Sequence, residues 1–253
     1  MESFLGLIVP LPAEAGALLG RQGWIRQDGW SCRSSVLPCG TAVLAVCAGQ
    51  GRARAQAAAG WLASRGAVAL AVIGLAGGLH PALHPGDLVL FMEKSGELLF
   101  AGPDGMLLQV LSGGLAEIDQ PVLTKAGKLA LFERSGALAV DLESVAVGRV
   151  ARQAGLPFFA LRAVCDPASR EVPSEVRACL AEAGRLRAAV LLRAIFRRPQ
   201  LLGELLRLRC DFAAALKALQ QQWQTVSMTA LARCRLADMG EEPFSSLPQS
   251  PPD

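Results

Sequence analysis

A layered α/β fold is predicted for this chain on three observations. Short apolar runs alternate with stretches of helical composition along most of its length. The strongest runs are apolar almost throughout rather than every second residue, as in strands covered on both faces. Pro and Gly punctuate the junctions between them. With 253 residues, 52% of them hydrophobic, the chain has material for one α/β domain with an extension, or for two small domains.

The elements read in order as follows. Phe4–Leu11 is an apolar run ended by Pro, a buried first strand, and Glu14–Leu19 begins a helix. Ser35–Cys47 holds two strand-like runs around the turn Pro38-Cys39-Gly40. Gly49-Gln50-Gly51-Arg52 is a glycine loop, followed by an Ala-rich helix over Ala53–Arg65 with Gly66 at its C′ position. Val68–Gly74 is a second buried strand. The run Gly74-Leu75-Ala76-Gly77-Gly78 after it is too glycine-rich for a helix or a strand. Pro85-Gly86-Asp87 marks a turn before the strand Leu88–Met92. Val122–Thr124 is a further short strand, Lys125–Arg134 a short helix, Ala139–Val140 a short apolar run and Leu142–Ala154 a helix closed by Gly155. Pro157–Val164 is a strong buried strand. From Glu175 to about Leu219 the pattern is helical, broken at Pro199 and rich in Leu and Arg, including Arg185, Arg187, Arg193, Arg197, Arg198, Arg207 and Arg209. Gln220–Gln222 and Ala230–Leu236 continue it weakly, and Pro243–Asp253 reads as a disordered tail. The organisation expected is a core over 1–175, a helical extension over 176–240 and a tail over 241–253.

Composition excludes several classes. A formal net charge of +3 from 25 basic and 22 acidic residues is too balanced to argue for nucleic acid. The absence of Tyr, with only 9 Phe, leaves no base-stacking platform. Seven Cys form an odd set without a CxxC pair, which reads as reduced, mostly buried thiols of a cytoplasmic protein rather than disulfides or a metal site. The opening Met-Glu-Ser lacks the basic region of a signal peptide. No apolar run reaches the ~20 residues of a membrane span.

Chemistry is expected at strand ends, where α/β sheets place ligands. Asp166 follows the apolar strand and precedes Pro167, so it is either a turn former or a site acid. Glu143 sits early in a helix, where it favours the helix dipole or serves a ligand. Glu14 is an ordinary first-turn acid or a third site carboxylate. Gly51 and Arg52 suit an anion such as phosphate at a helix N-terminus, although neither Walker nor Rossmann spacing is present. Gly74–Gly78 forms a tight turn or admits a ligand to the backbone. His80 and His84 lie among prolines and read as loop residues. Cys165 reads as a packed thiol in preference to a nucleophile.

Four segments, in order, resemble the purine/uridine phosphorylase superfamily, and in particular its methylthioadenosine/adenosylhomocysteine nucleosidase branch. They are Gly6-Leu7-Ile8 with Glu14; Gly49-Gln50-Gly51-Arg52; Gly74-Leu75-Ala76-Gly77-Gly78-Leu79 with Pro85-Gly86-Asp87-Leu88-Val89; and Ala139-Val140-Asp141-Leu142-Glu143-Ser144 with Pro157-Phe158 and Leu161-Arg162-Ala163-Val164-Cys165-Asp166. The resemblance spans about residues 4–170. It implies a three-layer α/β/α fold with a central mixed twisted sheet and cleavage of an N-glycosidic bond. Asp166 would face N7 of a purine leaving group, Glu143 would hold the ribose 2′- and 3′-hydroxyls, and Glu14 would activate water. Leu75, Ala76, Gly77 and Leu142 would line the substrate. Gly51 and Arg52 would take phosphate, a possible co-substrate, and no cofactor or metal is implied.

The sequence departs from the family pattern at Leu75, where a Ser is usual, at Leu142 in place of Met and at Cys165 in place of Ser. Leu75 points to a more hydrophobic substrate. The Arg/Leu-rich region with Phe196-Arg197-Arg198-Pro199-Gln200-Leu201-Leu202 is similar to the hopanoid-associated phosphorylase subfamily. That similarity implies phosphorolysis of adenosylhopane to ribosylhopane phosphate and adenine, a homo-oligomer, and peripheral contact with the inner membrane through the C-terminal helices. Hydrolysis by a nucleosidase, and non-catalytic binding of a nucleoside or lipid on the same scaffold, are the alternatives.

Overall fold

A computed structural model describes residues 3–92, 98–101, 107–110, 114–175 and 188–238. The tail over 241–253 and the Arg-bearing stretch 176–187 lie outside the described residues.

Four parallel strands form the centre of the sheet. They are β1 (Phe4–Val9), β4 (Ala42–Cys47), β5 (Ala67–Gly78) and β11 (Phe158–Asp166), adjacent in the order β4-β1-β5-β11. Antiparallel strands extend both sides: β2 (Ile25–Gln27) and β3 (Trp30–Val36) beyond β4, and β6 (Leu88–Met92), β7 (Leu98–Ala101) and β8 (Leu107–Val110) beyond β11. Two short strands, β9 (Leu115–Glu117) and β10 (Ala139–Asp141), pair in parallel, and β10 joins the end of β5 in antiparallel fashion. The mixed twisted sheet is flanked by helices, as the fold expectation requires.

Alternation within each strand makes the layers. On one face Leu5, Leu7, Val9, Ala71, Ile73, Phe159 and Leu161 pack with α1 (Pro12–Leu19) and a long C-terminal helix. On the other face Ile8, Val46, Leu70, Val72 and Ala160 pack with α2 (Arg52–Ser64) and α4 (Ser144–Gln153). Between these, α3 (Lys125–Ser135) packs with β9 and β10 through Leu131, Ala116 and Val140. The last helices are α5 (Ala188–Arg197) and α6 (Gln200–Asp238). Pro199 separates them, as expected.

Four expectations need correction. The run Gly74–Gly78 belongs to a strand: β5 continues to Gly78 because β11 and β10 supply its partners. The glycines there serve close approach. A Cβ on Gly77 would sit 3.1 Å from Val140 Cγ1, and one on Gly78 would sit 3.0 Å from Val164 Cγ1. Val122–Thr124 is not a strand. Thr124 instead caps α3, its hydroxyl accepting the Gly127 N–H at 3.1 Å. Glu143 is the N-cap residue of α4 and not part of its first turn. Finally, α6 is one helix through Gln220–Gln222, because Leu219, Trp223 and Val226 keep a buried helical face across the polar run.

Candidate functional site

The ends of β5, β10 and β11, the start of α1, the segment 118–123 and two side chains of α6 enclose a cavity of about 360 Å³. Glu14, Leu75, Ala76, Gly77, Leu142, Glu143 and Asp166 all line it. Seven residues chosen from separate parts of the sequence therefore meet in one place. Much of the remaining wall is apolar, including Pro10, Leu11, Ile118, Val122, Leu208 and Phe212.

Glu14 enters the cavity at the third position of α1, a helix opened by Pro12. It is 2% exposed. Its Oε2 accepts the Leu11 N–H at 2.7 Å and its Oε1 accepts the Leu75 N–H at 2.7 Å. Burial raises its pKa from 4.5 to about 7 even though both hydrogen bonds and the nearby Arg162 charge favour the anion. Glu14 is thus an acid–base group poised near neutrality.

Glu143 is held by both its neighbours in space and its position as N-cap. Its Oε1 accepts the Gly51 N–H at 2.8 Å, and Oε2 lies 3.5 Å from the Arg162 guanidinium. Burial pushes its pKa up, with Arg162 and Gly51 opposing. Asp141 shapes this corner. Its Oδ1 accepts the N–H groups of Glu143 and Ser144 at 2.9 and 2.8 Å, closing the turn that starts α4.

Arg162 organises the site, and it was not among the residues picked from the sequence. It is fully buried in β11. Its Nε pairs with Asp141 Oδ2, and its Nε and Nη2 donate to the Ser144 hydroxyl at 3.1 and 3.0 Å. Gly74 makes room for it: a Cβ there would lie 2.8 Å from both Arg162 Nη1 and Glu14 Oε1. The available signal was a charged residue inside an apolar strand, since a buried charge needs partners.

Asp166 is the last residue of β11, which continues past its expected end at Val164. Its side chain is 18% exposed, and its Oδ1 lies 2.7 Å from Nζ of Lys128, a fully buried lysine on α3. Burial raises the Asp166 pKa and the Lys128 charge opposes the rise. Nothing in the sequence singled out Lys128, because Lys125-Ala126-Gly127-Lys128 reads as an ordinary solvated helix start. Cys165 donates to the Ala76 carbonyl at 3.6 Å, and its thiol is pushed up to about 12, mainly by burial. That is the packed thiol the sequence suggested.

Gly51 and Arg52 stand outside the cavity lining, although the adjacent Gln50 is part of it. Gly51, at φ 100°, gives its N–H to Glu143, and Arg52 pairs with Asp119 at 2.9 Å. His80 packs edge-on against Phe132, and the His84 N–H donates to Asp87. Both lie away from the cavity.

Solved structures share this architecture. The native futalosine hydrolase of Helicobacter pylori matches at 15% identity with a TM-score of 0.59, covering 91% of this chain and 98% of that one. A 5′-methylthioadenosine/adenosylhomocysteine nucleosidase of the same organism, determined with 5′-methylthioadenosine in its active site, matches at 18% identity and TM-score 0.55, covering 78% and 100%. The adenosylhomocysteine nucleosidase of Streptococcus pyogenes matches at 20% identity and TM-score 0.54, covering 76% and 95%. At these identities the likeness is one of fold. None of the curated proteins matches the chain. The sequence model of the Phosphorylase superfamily matches residues 5–93 and 97–196. The chain belongs to the Phosphorylase superfamily.

Proposed function

We propose that the protein cleaves the N-glycosidic bond of an adenine nucleoside carrying an apolar 5′ group. The observation that carries this reading is the convergence of Glu14, Glu143 and Asp166 on one cavity. Breaking C1′–N9 leaves an oxocarbenium-like sugar and sends the bonding electrons to the base. Carboxylates beside the sugar stabilise the first, and proton donation to the base stabilises the second. Glu143 binds the ribose hydroxyls, fixed by Gly51 and Arg162. Asp166 gives a proton to N7 of the departing base. Glu14 takes a proton from the attacking water as its oxygen bonds to C1′.

Hydrolysis is the reading favoured for the attacking group, because Glu14 sits in the cavity with a pKa of about 7. Phosphorolysis needs donors for phosphate, and Gly51 and Arg52 already serve Glu143 and Asp119. The apolar wall, with Leu75, Leu208 and Phe212, supports an apolar 5′ substituent, and adenosylhopane is one candidate of that kind. Exposed Phe196, Leu202 and Leu206 beside Arg193, Arg197 and Arg207 support docking of α5 and α6 on an anionic bilayer that holds such a substrate.

The deciding experiment is adenine release from adenosine, 5′-methylthioadenosine and adenosylhopane, with and without inorganic phosphate. The expected result is release without phosphate, fastest for the most apolar 5′ group, and lost in Asp166→Asn. Dependence on phosphate would replace hydrolysis by phosphorolysis. No release from any of the three would overturn the reading. Sedimentation with anionic liposomes tests the membrane contact, which a Phe196→Ser, Leu206→Ser variant is expected to lose.

A further inference from the structure

Lys128 is the one fully buried lysine among the described residues. Its Nζ is surrounded by four oxygens: Asp166 Oδ1 at 2.7 Å and the carbonyls of Asp166, Pro167 and Arg170 at 3.3, 3.0 and 3.1 Å. The three carbonyls accept hydrogen bonds from Nζ, one more than the two protons of a neutral amine could supply, while Oδ1 meets the nitrogen as an ion pair. The arrangement therefore calls for the charged form, although burial alone pushes the lysine towards losing its proton. The Asp166 oxygen beside it, Oδ1, is shut off from solvent, which leaves Oδ2 as the oxygen open to the cavity.

We propose that Lys128 is a positioning residue for Asp166: its ammonium pins Oδ1 and the turn 166–170, so that Oδ2 alone meets the leaving base. The proposal rests on the reading of Asp166 as the acid that faces the base. Three carbonyls and a carboxylate hold the ammonium in place, and α3 carries it. The other charged or titratable groups facing Asp166 are Arg170 and Asp211, which pair with each other at 3.1 Å, and Asp166 also faces Cys165 within its own strand. The pair Arg170–Asp211 ties the same turn to α6. Lys128 thus governs two properties at once, the direction of the acid and the pH at which it holds its proton.

The test uses full-length protein labelled with 13C at aspartate carboxyls and lysine ε-carbons. Wild type, Lys128→Met and Asp166→Asn are titrated by NMR, and cleavage of 5′-methylthioadenosine is followed in parallel. In Lys128→Met the Asp166 carboxyl is expected to titrate at least one pH unit higher, and the alkaline limb of kcat/KM to move up with it. The kcat is expected to fall by roughly tenfold or more while KM changes little. In Asp166→Asn the Lys128 ε-carbon is expected to titrate at least one unit lower. A folded Lys128→Met with an unmoved Asp166 titration and an unmoved pH profile overturns the proposal. Should Lys128→Met not fold, Asp166→Asn decides, and an unmoved Lys128 titration there overturns it. A wild type that releases no adenine overturns the functional reading instead, since both titrations are read without turnover.

Discussion

Replacing Glu14 by Gln separates the cost of ionising this buried group from the worth of its hydrogen bonds. In the unfolded chain the carboxyl has its ordinary pKa of 4.5, and in the folded protein burial raises it to about 7. Between those values the folded state binds a proton that the unfolded state has released. Stability therefore falls as pH rises through this window, and the loss is complete above about 7. At about 1.4 kcal/mol per pH unit, the penalty is about 3 kcal/mol. Glutamine never ionises, so the variant escapes it. It also loses one acceptor, since its amide nitrogen faces one of the Leu11 and Leu75 N–H groups, at a cost of about 1–3 kcal/mol at every pH. The assay is urea unfolding of both proteins at pH 4.5 and pH 8.5. The variant's stability relative to wild type is expected to improve by about 3 kcal/mol between the two. Asp166 and Asp87, whose pKa values are also raised, contribute to both proteins and cancel, whereas Glu143 is repelled by the Glu14 charge and ionises more easily in the variant, which adds to the gain at high pH. A difference that does not change with pH would refute the reasoning, and with it the poised base. Activity gives an independent check: kcat/KM of wild type is expected to lose its activity as pH falls through about 7, and Glu14→Gln to be inactive throughout.

Arg162→Met leaves Asp141 and Glu143 without their shared cation, and a loss of about 3–5 kcal/mol is expected by denaturant titration. Gly74→Ala drives a methyl into both Glu14 and Arg162, each 2.8 Å from the new carbon. It is expected to cost about 1–3 kcal/mol in thermal unfolding and to lower kcat, because both side chains must move. Phe212→Ala opens the apolar wall of the cavity. It is expected to raise KM for the most apolar 5′ substituents while leaving that for adenosine within about threefold, which initial-rate measurements decide.

The strands that pack on both faces were the legible part of this fold. Phe4–Val9, Leu88–Met92 and Phe158–Val164 announce themselves because burial on both sides demands continuous apolar residues. The short strands β2 and β9 carry no such demand and gave no signal. The glycines of β5 pointed away from a strand, because propensity registers the missing side chain and not the neighbours that need its absence. In the site, the three carboxylates were legible through their ordered motifs. Their cationic partners were not. Arg162 stood in view inside an apolar strand, but which acids it would serve depends on where β5, β10 and α1 meet. Lys128 carries no local mark at all: its partner lies 38 residues away across a turn that only the folded chain brings to it.

Helix α6 has a consequence for synthesis. It follows every strand among the described residues, yet Ala215, Ala218, Leu219, Trp223, Val226, Ala230 and Leu231 cover the sheet face made by Leu5, Leu7, Ile73, Phe159 and Leu161. When β11 leaves the ribosome, that face still lacks its cover. At about 5–20 residues per second, the interval before Trp223 is made lasts on the order of several seconds. During that time the nascent chain presents a broad apolar plane to anything that binds such surfaces, chaperone or second chain alike. The order of elements thus makes this fold depend on what meets it before its final helix closes.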